Sequence, residues 1–315
     1  MLRTLLSIVT AAALVPAAQA RPEAAPPEPP EIIVVERIDG EVAYVARGRA
    51  YPTASGARVR VVVSDGYAVD EAERLRWAAL LDSLVHGPEL EEVTFQLAPR
   101  PELDDRCGAY ALACYLTNTK TILATGFGDP GGIGAEALVM HEYGHHVARS
   151  RLNSPWGALS DGTKRWASYM GICAGVREGR FFPQISFGPL YRLNPAEGFA
   201  EAYRVLNERR LGVAETPWLL VDRRFYPDTT ALALLEQDVL EPWRGNTRFT
   251  LTGRDSRVFR IATPLDGALR VSVASGPRTV YRVSAPATIC GRRSALVRVR
   301  HVRGGGPFRL TVSRP

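Results

Sequence analysis

Lysine is almost missing from this chain. Lys120 and Lys164 are the only two in 315 residues, so 37 of the 39 basic side chains are arginine. With Ala, Val, Gly and Pro abundant, that bias is the mark of a GC-rich coding sequence rather than of a functional stripe. The formal net charge is +6, yet the arginines read along the chain are scattered, mixed with acids and not interleaved with aromatics. This pattern argues against a nucleic-acid partner. Beyond the N-terminus no apolar run approaches the length of a bilayer-spanning helix, so no transmembrane segment is expected. No repeat of solenoid period is visible, and no C-x-x-C pair exists, which removes a four-cysteine zinc site.

The N-terminus is different in kind. Arg3 is followed by an apolar stretch, Leu5 to Val15, and then by the small-x-small pattern Ala18-Gln19-Ala20. That order is a signal peptide over residues 1–20, cleaved after Ala20, and it predicts a secreted, extracellular protein. An uncleaved anchor is the alternative, disfavoured by the short apolar length. No cysteine lies near the cleavage point to carry a lipid. Residues 21–31 (RPEAAPPEPPE) form a Pro-rich acidic linker with too few apolar groups to pack. Residues 21–60 hold no cysteine that could plug a metal site.

Cysteine is scarce as well, at four residues. In an exported chain these are expected as disulfides. Cys107 and Cys114 span a short Gly- and Tyr-containing segment, suited to a local bridge. Cys173 and Cys290 then either pair with each other at long range or stay reduced, with pairing the expectation.

Two regions follow from the periodicity. In residues 32–245, short strands (Ile32 to Val35, Val42 to Ala46, Val59 to Val63, Val93 to Leu97, Thr119 to Thr125) alternate with helical spacing. The helices are expected over Ala68 to Val85, Ala135 to Arg149, Thr163 to Val176, Pro195 to Arg210 and Thr229 to Leu240. This predicts an α+β domain with a mixed sheet and a helix across one face. In residues 246–315 the helical pattern stops. RFTLTG, RVFRIAT, ALRVSVAS, TVYRVSAP, SALVRVRHV and PFRLTVS read as regular short strands, the signature of a small all-β sandwich domain.

Three of the five histidines fall within six residues, in His141-Glu142-Tyr143-Gly144-His145-His146. On a helix, His141 and His145 project from one face and can grip one ion. Glu142 lies about 100° further round, where it can reach a metal-bound water without ligating the metal. Zinc, one per chain, is the metal that this pair of neutral imidazoles suits. His146 follows on another face and is read as supporting the site or solvated, not as a ligand.

A catalytic zinc usually has a third protein ligand. The metzincin extension would need glycine at 148 and histidine at 151, where this chain has Ala148 and Arg151. The stronger candidate is Glu197 in the segment Asn194-Pro195-Ala196-Glu197-Gly198-Phe199-Ala200-Glu201. Asn194 is a good N-cap and Pro195 suits the first helical position. Glu201 lies on the same face, a turn deeper, where it can orient a ligand histidine. The competing reading is an acidic helix start favoured by the macrodipole.

The HEYGHH helix followed by E-x-F-A-E-A-Y-R resembles the gluzincins, most closely the branch containing the anthrax lethal factor catalytic domain and small bacterial secreted zincins. The resemblance covers mainly residues 135–149 and 194–204. It implies a zincin-like fold, Glu197 as zinc ligand, Glu201 as its support, and peptide-bond hydrolysis with Glu142 as general base. Thermolysin-like enzymes carry an aspartate where this chain has Glu201, so kinship to them is not implied. Tyr191, six residues before Glu197, is a candidate oxyanion donor or simply a packed aromatic. The strand Thr119 to Thr125 is expected to be the edge on which an extended peptide or protein substrate lies. Two rivals stand beside the endopeptidase reading. One is a zinc amidase acting on cell-wall peptide. The other is a non-catalytic envelope-binding protein with a degenerate zincin domain, touching the cell envelope through its C-terminal region. The retained Glu142 speaks against that last reading, since a binding module needs no general base.

Overall fold

The structure is a computed structural model that describes residues 30–38, 41–109, 111–128, 132–185 and 187–315. The expected signal peptide, and all but the last two residues of the Pro-rich linker, lie outside them. The described chain begins with an antiparallel pair, β1 (Ile32–Ile38) and β2 (Glu41–Pro52), and β2 continues antiparallel onto β3 (Arg58–Ser64). The Val59–Val63 run is almost fully buried, as its dense β-branched composition predicts. Helix α1 (Glu71–Ser83), capped by the Asp70 side chain on the Glu73 N–H, crosses over to β4 (Thr94–Leu97), which lies parallel to β3. Its Trp77 packs on Phe95 with ring centroids 4.9 Å apart, fastening the helix to the sheet.

The next two elements carry little sequence signal. Helix α2 (Arg100–Cys107) buries only Glu102 and Leu103, so RPELDDRC shows no apolar stripe. Strand β5 (Ala113–Leu116) is too short for alternation to register. Strand β6 (Thr121–Ala124) pairs with β4 in parallel and with β5 antiparallel, giving a six-stranded mixed sheet in the order β1-β2-β3-β4-β6-β5. The segment expected to be the open edge, Thr119 to Thr125, therefore has neighbours on both sides. The edge is β5.

Helix α3 (Ala135–Arg149) packs on β5 and β6 and, on its other side, on α7 (Pro195–Leu211); α4 (Ala158–Asp161) fills in beside both. The single helix expected over Thr163 to Val176 is two, α5 (Lys164–Tyr169) and α6 (Ile172–Arg177). Gly171 between them has φ of +66°, a left-handed conformation that ends the first helix. Helix α8 (Thr229–Leu240) spans the residues its periodicity predicts, with Asp228 as N-cap.

From Thr247 to Arg314 the regular structure is all strand: β7 (Thr247–Gly253), β8 (Arg257–Ala262), β9 (Gly267–Ala268), β10 (Arg270–Ser275), β11 (Val280–Ser284), β12 (Thr288–Ile289), β13 (Ser294–Arg303) and β14 (Phe308–Arg314). They form two three-stranded antiparallel sheets, β10-β14-β7 and β11-β13-β8, and a β9–β12 pair. Val297 and Val299 of one sheet and Leu310 and Val312 of the other enter one hydrophobic cluster. A separate cluster draws its residues from Tyr51 to Val239. The molecule is thus mixed α/β with further antiparallel sheets. Both cysteine pairs are bridged, Cys107 to Cys114 and Cys173 to Cys290, and none is free. Such bonds belong to an oxidising compartment. Among the described residues no helix is long and apolar enough to cross a membrane.

Candidate metal centre

Helix α3 is buried along most of its length because it lies between the sheet and α7. Its contact with α7 is close enough to need a glycine. A Cβ on Gly144 would lie 2.9 Å from the Ala200 Cα and 3.2 Å from the Tyr203 Cβ. That approach carries His141 and His145 to the first turns of α7. Asn194 starts α7 by accepting the Ala196 N–H at 3.0 Å, and Pro195 occupies the first turn, so Glu197 sits at the positive end of the helix.

The three side chains converge. Glu197 Oε2 lies 3.2 Å from His141 Nε2 and 3.5 Å from His145 Nε2. The donor atoms of the group are all within 4.8 Å of one another, so it can hold a metal ion. Burial alone would push the Glu197 carboxyl up, but the charges and hydrogen bonds of His145 and His141 overcome it and hold the group well below the usual carboxylate range. A ligating carboxylate must be ionised, and this direction favours the ionised form.

Glu201 Oε1 lies 3.2 Å from His141 Nδ1, the nitrogen turned away from Glu197. Its other oxygen is gripped by Arg204, which also pairs with Glu208; all three are buried. The arginine keeps the Glu201 carboxylate ionised and stationary, so that Glu201 fixes the tautomer and tilt of His141. Desolvation opposes protonation of His141, yet the hydrogen bonds it donates to the Glu197 and Glu201 carboxylates raise its pKa to about 10.

Glu142 is partly buried beside the histidines. Desolvation raises its pKa, while the backbone N–H of Tyr115, on the edge strand β5, donates to its carboxylate. Tyr191, in a single 3₁₀ turn ahead of α7, donates its hydroxyl to Glu197 Oε2 at 2.8 Å. Burial and the adjacent carboxylate push its pKa up, so the hydroxyl keeps its proton. Of the two readings of Tyr191, packing alone does not account for a hydroxyl aimed at the cluster.

No family model, no curated protein and no solved structure matches this chain.

His146 is fully buried, not solvated. Its Nε2 lies 2.8 Å from the Glu89 carbonyl, which can only accept, so Nε2 carries the proton. Burial lowers its pKa and keeps the ring neutral, leaving Nδ1 to accept the Tyr115 hydroxyl at 2.9 Å. His146 thus ties the metal helix to the edge strand. Tyr115 and Arg204 escaped the sequence reading. Arg204 was within reach, since it is three residues past Glu201 on a buried helix face. Tyr115 was not, because its role is set by a backbone N–H on a four-residue strand.

Proposed function

We propose that the chain is a zinc-dependent peptide-bond hydrolase of zincin-like architecture, acting outside the cytoplasm as an endopeptidase. The observation that carries this reading is the convergence of His141, His145 and Glu197, with the Glu142 carboxyl alongside and outside the cluster. Two imidazole nitrogens and one carboxylate oxygen on buried helices match the donor set of catalytic zinc, which leaves a coordination position open. Zinc in such a site lowers the pKa of a ligated water and polarises a carbonyl.

The chain's own groups supply the rest. An extended peptide adds to β5, the edge strand beside α3, by main-chain hydrogen bonds. Glu142 takes the proton of the attacking water and hands it to the leaving amine, and its raised pKa suits it to both transfers. Tyr191, held protonated, turns its hydroxyl from Glu197 to the oxygen on which negative charge develops. The two-domain division near residue 245, with a β-sandwich at the C-terminus, belongs to the same reading.

The test is chelator-sensitive cleavage of a peptide library by the mature chain. Glu142→Gln should retain one zinc by elemental analysis while hydrolysis falls by about 10³-fold. His141→Ala should lose the metal. Activity persisting in Glu142→Gln would overturn the mechanism.

A further inference from the structure

Residues 246–315 contain fourteen arginines, no lysine, no glutamate and only two aspartates, Asp255 and Asp266. That is a formal +12, so the first 245 residues carry −6 of the chain's +6. Arginines that look scattered along the whole chain are, in this region, almost without acids beside them in sequence. Within this region the only ion pair among the described residues is Arg293 with Asp266, and Asp266 is buried.

Four of the fourteen, Arg260, Arg282, Arg298 and Arg300, lie exposed on the outer face of the β11-β13-β8 sheet. Along β13, Ala295, Val297 and Val299 point into the core while Leu296, Arg298 and Arg300 are exposed. The register sets Arg300 directly opposite Arg282 on β11, and sets Arg298 opposite Val258 and Leu296 opposite Arg260 on β8. Like charges directly opposed across a sheet are destabilising without an anion between them. At one end of this face Arg177, Arg260, Arg292 and Arg298 line a cleft of about 500 Å³ with Thr288 and Ser294. Arg177 comes from α6, which the Cys173–Cys290 bond fastens to the end of β12.

The aliphatic residues on this face narrow the partner. The exposed large hydrophobics of residues 246–315 are Val258, Leu296 and Val302, and all three belong to β8 and β13. No exposed ring stands on the face to stack on a base. A soluble polyanion would use the guanidinium groups and leave the aliphatics idle. A phospholipid surface uses both: phosphates for the arginine forks, and an apolar layer beneath the headgroups for the side chains between them.

We propose that the outer β11-β13-β8 face, with Arg177, docks the protein on an anionic membrane surface through lipid phosphates. The inference does not depend on the hydrolase reading. The test is flotation of the full mature chain with phosphatidylcholine vesicles and with vesicles that also contain phosphatidylglycerol. Binding is expected only to the latter and should weaken steeply with salt. Arg282→Ser with Arg300→Ser should weaken it by about 30-fold. Both positions are solvent-exposed, so an unchanged melting temperature would confirm that the variant is folded. Val258→Thr with Leu296→Ser keeps every charge and should also weaken binding. Equal binding by that aliphatic variant, or full competition by soluble inorganic polyphosphate or DNA, would overturn the lipid assignment in favour of a general polyanion site. Equal binding to both vesicle types would overturn it outright.

Discussion

Lys164, one of the chain's two lysines, has no exposed surface. Its ammonium donates to the Ser154 carbonyl at 2.7 Å and sits 4.4 Å from the Trp243 ring. Burial pulls its pKa down to about 8, and the charges of Asp266 and Asp238 only partly offset this. The unfolded chain holds that proton up to about pH 10.5, the folded chain only to about 8. Between those values the unfolded state binds more protons, so stability rises with pH across the window. Below it the full penalty applies. The relief amounts to at most roughly 3 kcal/mol. Urea unfolding at about pH 7 and about pH 10 should show this rise in the native chain and lose most of it in Lys164→Met; equal slopes would refute the assignment. Other single residues differ in how readable they are. His141, Glu142 and His145 are legible because their spacing alone puts them on one stretch of helix. Glu197 and Glu201 are legible because a cap and a proline announce their helix. Arg204 is silent, since an arginine in sequence normally signals surface.

The site exists because α3 and α7 meet, and the meeting depends on Gly144. An added methyl group would have to displace α7 backbone and not merely a flexible side-chain tip. Gly144→Ala gains about 1 kcal/mol of helix propensity but incurs overpacking of roughly 1–3 kcal/mol. A net loss of stability is expected, with weaker metal binding, because His141 and His145 ride on one helix and Glu197 on the other. Thermal unfolding and metal titration of the variant check both; unchanged metal affinity would mean that the helices' separation does not set the site. Element boundaries were legible wherever periodicity ran long, as in α7 and α8. They failed where an element is short or held from outside. Helix α2 has one buried aliphatic, Leu103, and is tied by Cys107 to Cys114 at the start of the edge strand. The edge went to β5 and not β6 because strand order is a long-range property. Nothing local to Thr121–Ala124 reports that β4 lies on its other side.

Charge is invisible in the same way at the scale of the molecule. Each arginine of residues 246–315 looks ordinary in its own window, and the asymmetry appears only when the acids are counted by region. The large cluster of the first region and the cluster of residues 246–315 share no residues. The contacts that join the two regions include the Asp266 N–H on Ser168 Oγ at 3.0 Å, Arg293 on the Ser168 carbonyl at 2.7 Å, the charge of Asp266 beside Lys164, and the covalent Cys173–Cys290 bond. That bond closes a sequence separation of 117, whereas Cys107–Cys114 closes one of 7. Loop entropy then ranks them, at about 5 kcal/mol for the long loop and about 2.5 kcal/mol for the short one. Cys173→Ala with Cys290→Ala should therefore cost more stability than Cys107→Ala with Cys114→Ala. It should also uncouple the two clusters, because the remaining hydrogen bonds are to polar groups that solvent can satisfy. Calorimetry of the two double variants decides this. The Cys173/Cys290 variant is expected to melt in two transitions where the native chain melts in one. A single transition, no lower than that of the Cys107/Cys114 variant, would show that the polar contacts bind the two regions without the bridge.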